Sequence, residues 1–135
     1  MPAFVDVVAL FVNPDPADVQ AVLEQVGPEL LQFHGDETPQ DCARYGHRFL
    51  RAFRAGAPGL ATAEDLATSC RAYGEAAGWL FDSYSAGYGG SGHGFDYALL
   101  DDVRADPVSR PLILSGGLTA ESVGQAVQLI RPWGV

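Results

Sequence analysis

The chain predicts an α/β fold built on an all-parallel sheet, and three observations carry that prediction. Short apolar runs alternate with amphipathic helical patterns from end to end. No hairpin signal joins two runs, so each return to the sheet needs a crossover helix. Hydrophobic residues are 47% of the 135 and charged residues 19%, which suits one globular core and little more.

The elements follow in order. Phe4 to Val12 is nearly all apolar and rich in β-branched and aromatic residues, the pattern of a strand covered on both faces. Asn13-Pro14-Asp15-Pro16 ends it, with Asp15 as N-cap and Pro16 at the first helical position. Val19, Val22, Leu23 and Val26 recur at helical spacing until Gly27-Pro28. Leu30 to Phe33 is a second strand, Thr38-Pro39 opens a second helix, and Phe49 to Phe53 is a third strand that also carries Arg51. Thr62 caps a helix over Ala61 to Tyr73. Gly78 to Phe81 is the fourth strand and delivers Asp82 to a loop with five glycines. Asp96 caps a short helix that ends at Asp106-Pro107. Pro111 to Leu114 is the fifth strand, Thr119 caps a helix with Val123, Ala126, Val127 and Ile130 on one face, and Trp133 starts a sixth strand. Two architectures fit this alternation: a doubly wound open sheet, or part of an eight-stranded (β/α)₈ barrel, which needs at least ~200 residues when complete.

Charge and composition narrow the function. The formal net charge is -9, which argues against nucleic acid or an anionic membrane as partner. All 8 basic residues are arginine, which excludes a Schiff-base lysine and a Walker-type phosphate loop. Cys42 and Cys70 fall in helical patterns without metal-ligand spacing, so both are expected as free thiols, and no metal site is expected. No apolar run reaches ~18 residues, and the start lacks a basic signal-peptide region, so a cytoplasmic protein is expected.

The chemistry concentrates after the strands. Asp82 follows three apolar residues and precedes the glycine loop; it is either a loop or capping aspartate, or a general acid or base at a strand end. Gly87 to Gly92 matches G-x-G-x-x-G formally, but five residues separate it from the strand and the next strand ends without an acid, so no dinucleotide site is expected. Ser115-Gly116-Gly117 lies between a strand and a helix start, where backbone N–H groups can meet an anion or simply make a tight turn. His34 follows its strand directly and should share a face with Asp82. His47 reads as a surface turn residue, His93 lies in the glycine loop, and Asp101-Asp102 reads as a solvated helix face.

Taken together, these pieces resemble the phosphoribosylanthranilate isomerase family of tryptophan biosynthesis. Phe11-Val12-Asn13 is similar to the end of that family's Gly-Val-Phe-Val-Asn strand, and Leu31-Gln32-Phe33-His34-Gly35-Asp36-Glu37 to its Leu-Gln-Leu-His-Gly-Asp/Glu-Glu motif. Phe81-Asp82, Gly89-Gly90-Ser91-Gly92, Phe95-Asp96-Tyr97, Leu114-Ser115-Gly116-Gly117-Leu118 and Arg131-Pro132 follow in the family's order. The resemblance implies a single incomplete TIM-barrel domain over residues 1–135, of the ribulose-phosphate-binding type, running from the third strand to the start of the eighth. It implies an Amadori rearrangement of a phosphorylated small-molecule substrate, without cofactor or metal. Asp82 would be the general acid, His34 would border the substrate, Gly89, Gly90 and Gly92 would belong to a loop folding over it, and Gly116 and Gly117 would bind phosphate.

The family's Lys-Ile-Cys-Gly strand with its general-base cysteine, its Ser-x-Arg-Tyr-type loop with an arginine for the anthranilate carboxylate, and its Asp-Val-Ser-Ser-Gly segment have no counterpart here. The chain alone is therefore expected to be inactive and to self-associate through exposed sheet edges. Two other readings stay open: a non-catalytic barrel fragment, and a sister ribulose-phosphate-binding enzyme, whose catalytic lysines are absent.

Overall fold

The computed structural model describes residues 2–84 and 96–135. Five parallel strands, β1 (Val8–Phe11), β2 (Leu30–Phe33), β3 (Phe49–Ala55), β4 (Gly78–Ser83) and β5 (Leu112–Leu114), lie side by side in the order of the chain. Helices α1 (Pro16–Gln25), α2 (Pro39–Ala43), α3 (Ala63–Arg71), α4 (Asp101–Ala105) and α5 (Val123–Ile130) follow them, with a 3₁₀ turn at Tyr97–Leu100 leading into α4. A doubly wound sheet reverses its strand order at a switch point, and this one never does. With right-handed crossovers, an unreversed order puts every connecting helix on the same face.

The strands alternate accordingly. Leu31, Phe33, Phe49, Phe53, Trp79, Phe81 and Leu114 join one buried cluster with Val19 of α1, Leu66 and Cys70 of α3, Val103 of α4 and Ile130 of α5. Phe53 anchors it, with ring centroids 5.6 Å from Phe81, 5.5 Å from Tyr73 and 6.4 Å from Trp79. The intervening residues, among them Leu10, Gln32, Ala52, Leu80 and Ile113, face the other way.

The caps match the sequence for α2 and α3. Thr38 forms a reciprocal capping box with Asp41, and Thr62 accepts from Asp65 N at 3.1 Å. Three expectations need correction. The first strand is four residues rather than nine, because its ladder can run only as far as the four residues of β2 beside it. It is covered on one face only: Val8 and Leu10, on the face away from the helices, are 42% and 55% exposed. The last helix begins at Val123, not at Thr119; Thr119 and Ser122 bond each other's backbone N–H across a preceding turn. Trp133 N donates to Leu112 O at 2.8 Å and Leu114 N to Gly134 O at 3.0 Å, so the chain end lies parallel beside β5.

Candidate functional site

β4 is buried along its whole length, and its alternation turns Asp82 to the face away from the helices, where the residue is 5% exposed. Ser83 N donates to Asp82 Oδ1 at 2.8 Å. The turn after β5 closes on that carboxylate. Gly116 has φ +78, and a side chain there would collide with Asp82 Oδ1 and with Ser83 N and Oγ. Glycine is thus required twice, by the backbone angle and by the approach. Gly117 follows in the same left-handed region, φ +70.

His34 extends β2 by one residue, its N–H donating to Phe11 O at 2.9 Å. Its Nε2 lies 3.5 Å from Asp82 Oδ2. The two residues belong to strands separated by β3, so roughly 9.6 Å of sheet lies between their backbones. Continuing the β2–β3 register, in which Phe33 stands opposite Arg51, His34 is level with Ala52. Asp82 stands opposite Arg54 in the β3–β4 register, so imidazole and carboxylate meet on a diagonal across the intervening strand. His34 Nε2 is buried and makes no hydrogen bond among the described residues. Burial pushes the His34 pKa below its usual 6.5; Asp82 pulls it up, Arg54 and Arg51 push it further down, and Glu37 opposes them. The ring is neutral at neutral pH.

A second cluster fixes the ground on which His34 stands. Arg51 sits in the helix-facing row of β3, buried, with its guanidinium 2.7 Å from Glu37 Oε1 and donating to Gly35 O at 2.8 Å. Glu37 also accepts from Gly35 N and Asn13 N, both at 2.8 Å, and its carbonyl accepts from Tyr73 Oη at 2.7 Å. Asn13 Oδ1 accepts from Asp36 N at 2.7 Å, and Gly35 leaves no space for a side chain against Asn13. The loops after β1 and β2 are thereby tied to each other and to β3. Sequence reasoning missed this cluster. The available signal was Arg51 itself, because a charge in an apolar strand demands a buried partner.

The structure therefore brings together three of the expected site residues, His34, Asp82 and Gly116, at the carboxyl ends of the strands, with Gly117 next in the chain. Gly89, Gly90, Gly92 and His93 lie outside the described residues. The turn between Gly117 and α5 means that the phosphate-binding expectation rests on the glycine backbone rather than on a helix start directly after it. His47 is not a free surface residue: its Nε2 lies 2.9 Å from Pro28 O, at the opposite rim. Cys42 and Cys70 are buried free thiols on α2 and α3; burial raises Cys42 to about 12 and Cys70 further. Among the described residues, no group of three His, Cys, Asp or Glu could hold a metal ion, and no helix is long and apolar enough to cross a membrane.

The family model described as N-(5'phosphoribosyl)anthranilate (PRA) isomerase matches residues 2–135. An N-(5'-phosphoribosyl)anthranilate isomerase of Bordetella petrii is 73% identical over 135 residues, covering all of this chain and 61% of that protein. The crystal structure of phosphoribosyl anthranilate isomerase from Thermotoga maritima superposes with a TM-score of 0.81 at 31% identity, over 100% of this chain and 62% of that one. A structure of the same enzyme in complex with reduced 1-(o-carboxyphenylamino)-1-deoxyribulose 5-phosphate gives 0.76 at 28% identity, over 100% of this chain and 60% of that one. The chain thus spans about three fifths of the length of these relatives, 61% in the first case. On the match of its whole described length, the chain belongs to the N-(5'-phosphoribosyl)anthranilate isomerase family.

Proposed function

We propose that this chain carries the general-acid portion of a phosphoribosylanthranilate isomerase of tryptophan biosynthesis. In this reading residues 1–135 are one unit of a (β/α)₈ barrel: β1 to β5 are its third to seventh strands, and Trp133-Gly134-Val135 opens the eighth. The pairing of Gly134 with Ile113 supports that last assignment. The observation that carries the function is the convergence of His34, Asp82 and Gly116 on one rim, from three separate strand ends.

The substrate is N-(5'-phosphoribosyl)anthranilate. Asp82, 5% exposed on this rim, is the general acid that protonates the furanose ring oxygen. The C1–O bond breaks as the anilino nitrogen lone pair forms C=N. A base then removes the C2 proton, giving an enol that tautomerises to the ketone of 1-(o-carboxyphenylamino)-1-deoxyribulose 5-phosphate. The left-handed pair Gly116-Gly117 exposes backbone to the phosphate, and the Gly89 to Gly92 loop covers the substrate. Neither Cys42 nor Cys70 serves as the base, since both thiols are buried on the helix side and stay protonated. The base comes from a segment outside these residues, so the 135-residue chain alone does not turn over substrate.

The test replaces the matching segment of the Bordetella petrii relative with residues 1–135 and assays isomerase activity. We expect activity in the graft, a ~10²–10⁴-fold loss in kcat on Asp82→Asn, and none from residues 1–135 alone. An inactive but folded graft, or near-normal turnover with Asn at position 82, would refute the assignment.

A further inference from the structure

Arg51 and Glu37 are 7% and 5% exposed, a costly place for two charges. An apolar pair of similar volume commonly holds a fold as well or better, so stability alone does not account for them. What apolar side chains could not do is bond particular backbone atoms. Among the described residues, three of the four bonds that these two side chains make to backbone go to the residues on either side of His34. Arg51 donates through Nη1 to Phe33 O at 3.3 Å and through Nη2 to Gly35 O at 2.8 Å. Glu37 Oε1 accepts from Gly35 N at 2.8 Å and meets Arg51 Nη1 at 2.7 Å. The N–H of His34 itself goes to Phe11 O.

The aim of the guanidinium is specific. Its Nε is buried with no partner among the described residues, so the fork faces the two carbonyls even though one donor is left over. Tyr73 steadies that aim, with its ring centroid 4.8 Å from Arg51 Cζ and its hydroxyl on Glu37 O. Phe33 points into the helix-side core, and His34, one residue on, carries its ring the other way, toward Asp82. Arg51 lies in the helix-facing row of β3 and bonds the backbone behind His34. An effect of this pair on turnover therefore passes through where His34 stands.

We infer that Arg51 and Glu37 are positioning residues for His34: acting from behind the sheet, they set the backbone on both sides of it and so fix where the imidazole stands on the rim. This rests on the isomerase reading for the contact of His34 with substrate, but not for the geometry of the clamp. Replacing both, Glu37→Gln with Arg51→Met, removes one charge of each sign and leaves the net charge unchanged. Its effect is then one of placement rather than of overall field.

Two measurements on the Bordetella petrii graft test this. The first is a double-mutant cycle on kcat/KM between the paired replacement and His34→Ala. With His34 present we expect a loss of ~10-fold or more, since a misplacement of about 1 Å can cost ~10²-fold. In the His34→Ala protein, where no ring is left to place, the further loss should not exceed ~2-fold, while Tm falls equally in both backgrounds. Equal losses of kcat/KM in both backgrounds, as for a pair that only holds the fold together, overturn the inference, and so does a normal kcat/KM in His34→Ala. Glu37→Asp, which keeps the charge but withdraws the carboxylate by one methylene, runs the same cycle with the same expectation if the paired replacement does not fold. The second measurement is the ¹H–¹³C spectrum of the histidine rings without substrate. The Cε1–H signal of His34 should move on the replacement, and that of His47, at the opposite rim, should not. A His34 signal as still as that of His47 overturns the inference whatever the activity. An inactive graft whose His34 signal moves sinks the isomerase reading and keeps the clamp.

Discussion

At the scale of the residue, Gly116 decides how tightly the site is built. Its backbone angle alone costs an L side chain about 1–2 kcal/mol, and Asp82 and Ser83 leave no room for a methyl. Gly27 provides the comparison, since it has φ +63 and nothing within 4 Å of a Cβ. We expect Gly27→Ala to cost the backbone term only, while Gly116→Ala costs more and displaces the Asp82 carboxylate. Denaturant midpoints of the two variants, together with isomerase activity in the graft, read this directly. Equal losses of stability with activity intact would mean that the rim relaxes around the methyl. The same residue marks a limit of sequence reading. Gly-Gly after a strand reads as a close-approach turn, but nothing in the sequence states that the atom approached is the carboxylate of Asp82, thirty-odd residues earlier in the chain.

At the scale of the element, the loops after β1 and β2 hold because a buried Glu37–Arg51 pair joins them to β3. Removing one partner of a buried pair leaves an unpaired group in a dry place and typically costs ~3–5 kcal/mol. Glu37→Gln does so twice over, since its amide would present a donor to the donor N–H of Asn13. Arg51→Met removes the charge but leaves Glu37 its two backbone N–H donors. We expect each single variant to be strongly destabilised, and the double variant to lose much less than the sum. Urea unfolding of the three proteins checks it, and strict additivity would show that the two side chains act independently. The elements themselves were largely legible. β2 is read to the residue, α2 and α3 start at the Thr caps that the sequence offers, and Arg131-Pro132 ends α5 as expected. β1 was not, because apolar content measures what a strand could bury, whereas the ladder's length is set by its neighbour. α5 was misplaced by one turn because Thr119 and Ser122 close a turn on each other's backbone N–H ahead of it, and Ser122, at the N-cap, gives α5 no side-chain bond.

At the scale of the whole molecule, the sheet's order exposes its first strand. β1 pairs with β2 on one side only among the described strands, and Val8 and Leu10 face away from the helix layer in the open. An apolar edge of this kind recruits other chains. The net charge of -9 opposes association, but salt screens it beyond ~8 Å while strand pairing acts at contact. We expect residues 1–135 to sediment as a concentration-dependent mixture, and Leu10→Lys to shift it toward monomer. A monodisperse, cooperatively melting monomer at high concentration would refute this.

The unreversed strand order also bears on how the fold is reached. Every strand of the sheet lies next to the strand that precedes it in the chain. As the polypeptide leaves the ribosome, each new strand therefore meets a partner that already exists, and each helix is drawn down behind it. No strand has to wait for a later one to fill a gap, as the strands at a reversal point of a doubly wound sheet must. Parallel sheets are slow to assemble when their pairings are distant along the chain. Here each pairing spans one strand and one crossover, so assembly can proceed in the direction of synthesis, one unit at a time.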